Sequence, residues 1–138
     1  MASLKQDSAL AVNLLGKDTL FCQLMSLATQ EDRALRLVPM RQSPNSAMST
    51  PLVSVYIQPG SIQGGGVNQY RLLADVYVPL SKQKASGISF DITRRIKEVL
   101  HGKPVGRRLK WIDTDPDKRS TTGWHKATVM FEFLSTQY

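Results

Sequence analysis

The sequence predicts an α+β fold: a four-stranded antiparallel sheet made of two hairpins, with an N-terminal helix or helices and one amphipathic helix on one face. Three observations carry this expectation. Four short runs rich in Val, Leu, Tyr and Phe place their apolar residues at alternate positions, the period of a strand buried on one side only. Residues 88–100 instead repeat aliphatic side chains at helical spacing. The order along the chain is α-β-β-α-β-β, and two hairpins that share one oily face need helices to cover it. At 138 residues the chain suits a single domain, 1–138, with one core.

Ser3 to Leu15 sets Leu4, Ala11, Leu14 and Leu15 at helix-compatible positions before Gly16 interrupts them. Asp18 then stands as the N-cap of a second helical stretch, where Leu20, Leu24, Leu27 and Ala28 recur at i, i+4, i+7 and i+8. Residues 4–30 therefore read as one broken helix or two short ones. Residues 38–51, VPMRQSPNSAMSTP, hold three prolines and read as an extended linker or flap.

TPLVSVYIQP is the first strand, with Val53, Val55 and Ile57 on one face and Ser54, Tyr56 and Gln58 on the other. Beyond the stretch 59–69, expected to be a mobile loop, Tyr70, Leu72, Ala74, Val76 and Val78 alternate with Arg71, Leu73, Asp75 and Tyr77. Pro79 ends this second strand because it cannot donate to a ladder. Ser86 or Ser89 can cap the next helix, whose stripe is Ile88, Ile92, Ile96, Val99 and Leu100, and Gly102 stands where a left-handed terminator belongs. RRLKWIDT is the third strand, DPDKRSTTG a turn within a second mobile stretch, 114–123, and WHKATVMFEFLS the fourth strand, burying Ala127, Val129, Phe131 and Phe133. The other sheet face carries Ser54, Tyr56, Leu73, Tyr77, Lys126, Thr128, Met130 and Glu132, a mixed surface of the sort subunit contacts use.

Chemistry is sparse. Gly64, Gly65 and Gly66 invite comparison with a phosphate-binding loop, and Gly60 and Gly65 have its separation, but Gly66 and Val67 stand where lysine and a hydroxyl residue are needed and a strand follows instead of a helix. A flexible hairpin loop is the better reading. Asp113, Asp115 and Asp117 resemble the opening of a calcium loop, yet Lys118 and Trp124 replace its glycine and its bidentate glutamate. His101 and His125 have no companion ligands at zinc spacing, the lone Cys22 sits among apolar residues as a buried thiol would, and no nucleophile elbow is present. No enzymatic activity, metal or cofactor is expected. Nor is a membrane role or secretion, since no run of eighteen apolar residues exists and MASLKQDSALAV lacks a continuous apolar stretch.

The net charge of +7 is concentrated in residues 94–126, with ten Lys or Arg against four acids. An electropositive surface favours acidic partners or nucleic acid. Lys103, Arg107, Arg108 and Lys110 beside Trp111 could pair phosphates with a stacking ring, or could be a solvated strand edge. A small basic nucleic-acid-binding domain built on Lys103–Trp111 is thus the alternative function.

The helical stretch LAVNLLGKDTLFCQLMSLA, the strands TPLVSVYI and YRLLADVYV, the helix FDITRRIKEVLHG and the late W-x-x-x-x-V-x-F-x-F strand, in that order, resemble the tail terminator and tail-to-head joining proteins of long-tailed bacteriophages. The likeness spans nearly the whole chain and is one of pattern, length and order. It implies a virion protein of the tail or neck, synthesised in the bacterial host cytoplasm. Such proteins form a ring, expected to be homohexameric, that caps the tail tube, stops its polymerisation and meets the head-completion or connector protein, while DNA passes through without sequence-specific binding. In isolation the chain could remain a monomer, because flexible loops gain little until a partner orders them. Residues expected at the contacts with self, tube or connector are Gly64, Gly65, Gly66, Tyr77, Lys103, Arg107, Arg108, Lys118, Arg119 and Met130.

Overall fold

A computed structural model describes residues 4–45, 48–62, 68–82, 84–102, 109–118 and 123–135. Helices α1 (Leu4–Gly16), α2 (Thr19–Met25) and α3 (Gln30–Arg36) lead into strand β1 (Leu37–Val38), followed by β2 (Leu52–Ile62), β3 (Asn68–Pro79), α4 (Ala85–Leu100), β4 (Lys110–Lys118) and β5 (Trp124–Ser135). The sheet order is β1-β2-β3-β5-β4. β1 runs parallel to β2, Leu37 facing Val53 and Val38 facing Ser54, whereas the other pairs are antiparallel.

The fold class therefore differs from expectation: the sheet is five-stranded and mixed, with four helices among the described residues, not a four-stranded antiparallel sheet in α-β-β-α-β-β order. The two missed elements left little trace in the sequence. In α3, QEDRALR, the buried residue is Arg36, and Leu35 is 68% exposed, so no apolar stripe marks it. β1 is only two residues long, too short to show a period of two, and Pro39 follows at once. β4 also runs on through Lys118, into residues expected to turn, and β2 extends to Ile62.

The helix-facing side of the sheet builds the main core. Val53 and Val55 of β2, Tyr70, Leu72, Ala74, Val76 and Val78 of β3, and Val129, Phe131 and Phe133 of β5 meet Ile92, Ile96 and Leu100 of α4 with Ala11, Leu15, Phe21 and Met25 of α1 and α2. Tyr70 and Phe133, directly opposed across β3 and β5, stack with ring centroids 5.7 Å apart. In α2 the buried stripe is Phe21, Cys22 and Met25, while Leu20 is 47% exposed; the expected Leu20–Leu24 stripe is rotated because the helix ends at Met25 and Leu27 is buried from outside it.

Charged groups fix the helices. Asp18 caps α2, accepting from the Phe21 amide at 2.8 Å, and accepts two bonds from Arg95 of α4, at 2.6 and 2.8 Å. The Arg95 guanidinium is the chief reason its carboxyl lies below the usual range; burial opposes the shift and the Phe21 amide adds to it. Arg36, 6% exposed, points its guanidinium at three carbonyls: Pro51 at 2.9 Å, Ser26 at 3.1 Å, and Met25. It ties the C-terminal end of α2 to the start of β2, at a helix end that favours a cation. Burial lowers its pKa, an effect the nearby Asp32 opposes. Gly102, with φ of 78°, follows the C-cap His101 as the expected left-handed terminator. At its other end α4 begins differently from expectation, on Lys84 in a left-handed conformation with no side-chain cap, and Ser89 is buried inside the helix.

Candidate interaction face

The candidate site is the sheet face turned away from the helices. Antiparallel register places its residues in four cross-strand rows: Leu52, Tyr77, Lys126; then Ser54, Asp75, Thr128, Asp115; then Tyr56, Leu73, Met130, Asp113; then Gln58, Arg71, Glu132, Lys110. The eight residues expected to share this face do share it. Half of them are nevertheless already buried within the chain: Ser54, Leu73, Tyr77 and Thr128.

The linker that leaves β1 supplies part of the cover. The Ser54 hydroxyl donates to the Met40 carbonyl at 2.5 Å and accepts from the Gln42 amide at 2.9 Å, while the Arg41 guanidinium lies 5.4 Å from the centre of the Tyr56 ring. At one end Val38, Leu52, Tyr77 and Trp124 form a second apolar cluster against which Met48 packs. Residues 39–45 and 48–51 are thus a strap over β2 and β3.

Asp75, 1% exposed, is the hub beneath. Its carboxylate accepts from the Tyr56 hydroxyl at 2.9 Å and the Thr128 hydroxyl at 2.7 Å, with the Lys126 ammonium at 3.7 Å. Burial, then the charge of Asp75, pushes the Tyr56 phenol well above its ordinary pKa. A buried carboxylate with three partners is a satisfied network rather than a poised base. The sequence offered one hint: an acid in the middle of a strand otherwise built from Leu, Val and Tyr. Nearer the open rim, Glu132 accepts from the Gln69 side chain and lies 3.9 Å from the Lys110 ammonium.

Among the expected contact residues, Tyr77 is in the second apolar cluster, 3% exposed, with the Lys126 ammonium 5.5 Å from its ring centre. Met130 is half-buried in the third row, and Lys118 pairs with Lys126 in the β4–β5 register. Gly64, Gly65, Gly66, Lys103, Arg107, Arg108 and Arg119 lie outside the described residues. Trp111 faces the helices: the Lys97 ammonium is 3.6 Å from its ring centre, and its indole N–H donates to the Thr114 hydroxyl at 2.9 Å. The His101 ring accepts the Trp111 amide through Nδ1 at 3.0 Å. Among the described residues, no helix is long and apolar enough to cross a membrane.

These features define a mixed α/β scaffold with a helical layer on one face and a strap over part of the other. The same fold occurs in a solved chain titled "Virion of native gene transfer agent (GTA) particle", with a TM-score of 0.61, 12% identity and 92% of each chain covered. No protein-family profile matches the sequence, and no curated protein matches it.

Proposed function

We propose that this chain is a non-enzymatic structural protein of a phage-like virion, forming a ring at the head-proximal end of the tail tube as the terminator or joining ring. The observation that carries the reading is the shared fold with a gene transfer agent virion chain over 92% of both. The sequence segments that resemble tail terminator and joining proteins favour the same reading, although the element order expected from them is not the one observed. In this role the ring is a hexamer of this chain, touches the tube protein on one side and the head-completion or connector protein on the other, and lets DNA pass without reading its sequence.

Of the features that favoured a nucleic-acid surface, the two among the described residues, Trp111 and Lys110, have partners within the chain. The Trp111 ring is capped by Lys97, and Lys110 lies beside Glu132. A domain that stacks bases needs a free aromatic face.

Electron microscopy of particles assembled without this protein tests the proposal. Tails of uncontrolled length, or tails detached from heads, are expected; normal tails joined to heads would refute it.

A further inference from the structure

We propose that the acidic outer edge of β4 seats against the cationic groove beside β1 of the next copy, making the junction that repeats around a ring. This rests on the ring reading and names the surfaces that close it.

The groove, about 510 Å³, lies where α1 and α3 meet β1. Val12, Ala34, Leu37 and Pro39 form its apolar lining, and Lys17 and Arg33 supply its charge, with no acid among the described residues that line it. Both cations are exposed, and neither has an ion-pair partner among the described residues. Two unpaired cations flanking an apolar floor fit an acidic segment with some apolar surface.

This chain contains such a segment, at the opposite edge of its own sheet. β4 is the terminal strand and carries Ile112-Asp113-Thr114-Asp115-Pro116-Asp117, the densest acidic stretch in a chain of net charge +7. Asp18, Asp75, Glu98 and Glu132 each have a cation within the same copy. Asp113, by contrast, is exposed and has no ion-pair partner among the described residues.

The form of the contact follows from the strand. Register shifts between Trp111 and Asp113 and between Asp115 and Lys118 interrupt β4, and Pro116 has no N–H to offer. A continuous sheet across copies is thereby disfavoured, which leaves side chains to make the junction: Asp113 with Lys17 and Arg33, and the half-buried Ile112 at the shift against the groove floor. Complementary patches on opposite edges, about 19 Å apart across four strand spacings, cannot meet within one copy. Between copies they meet head to tail, the geometry that generates a ring when its rotation closes.

The test is a charge swap in the full chain. Lys17→Glu with Arg33→Glu, and separately Asp113→Lys, should each raise the concentration needed for self-association at low salt about tenfold or more, read by analytical ultracentrifugation. Unchanged thermal unfolding serves as the folding control. The triple variant should restore association, because its charges are exchanged rather than lost. In purified particles, Ala34→Cys with Ile112→Cys, which keeps the charges and joins the apolar floor to the residue seated on it, should give a disulfide-linked ladder of this protein under mild oxidation, a readout that applies even if the free chain is monomeric. Rings that form equally well in all variants, or particles that contain the protein but yield no ladder, would overturn this junction and leave the ring reading intact. Wild-type particles from which the protein is missing would overturn both.

Discussion

Replacing Arg36 with methionine keeps most of the aliphatic stem and deletes the guanidinium. Three carbonyls, those of Met25, Ser26 and Pro51, then lose their donor at a site where Arg36 itself is only 6% exposed. Each bond to a charged donor contributes roughly 1.5–3 kcal/mol, and a buried acceptor left unsatisfied costs about 1–3 kcal/mol. Two effects reduce the sum: the variant no longer buries a charge, whose desolvation is what lowers the Arg36 pKa, and water can reach the partly buried Ser26 carbonyl. A net loss of about 3 kcal/mol is expected, a large fraction of the ~5–15 kcal/mol that holds a domain together. Arg36→Lys, which can reach one or two of the carbonyls, should lose about half as much. Urea denaturation followed by circular dichroism measures both, with the midpoint falling and the slope unchanged. A loss below about 1 kcal/mol in Arg36→Met would show that α2 and β2 are held by packing alone and not by the Arg36 guanidinium.

Three further outcomes are expected. Asn caps a helix about as well as Asp, so Asp18→Asn isolates the Arg95 pair; since the folded carboxyl titrates below its unfolded value, the stability this pair adds is present above about pH 4 and lost as pH falls through the folded pKa, so wild type and variant should converge in acid urea melts. Tyr56→Phe removes one bond to Asp75 and should lower stability by about 1 kcal/mol in the same urea assay. In a spectrophotometric alkaline titration, the phenol missing from Tyr56→Phe relative to wild type should be one that ionises well above the ordinary tyrosine range; a difference between the two curves that falls in the ordinary range would contradict the buried Tyr56–Asp75 pair.

Much of the scaffold is legible in the sequence, and for identifiable reasons. β5 lies where the alternation of Ala127, Val129, Phe131 and Phe133 puts it, and β3 ends at Pro79, because strands buried on one face write their geometry directly into a period of two. The stripe on α4 and the Asp18 cap were legible for the same local reason. What escaped depends on distant partners. α3 is anchored through a buried arginine whose acceptors are 10 to 15 residues away, and β1 is defined by pairing with a strand beyond the proline-rich stretch. The expected Leu20 stripe failed because, over so short a helix, two competing faces fit the spacing and only tertiary packing selects Phe21, Cys22 and Met25. On the candidate face, alternation identified which residues share a side but not that half of them are buried within the chain or that the strap reaches Ser54, Tyr56 and the cluster around Tyr77, since a segment without periodicity announces no target.

The strap also makes the molecule uneven in thickness. Around β2 and β3 the sheet is sandwiched, helices on one side and the proline-rich segment on the other, whereas around β4 the described chain is only two layers deep. Amide exchange should accordingly be slowest in β2 and β3 and fastest along β4, and the thin margin can flex to match a neighbour while the thick one holds its shape.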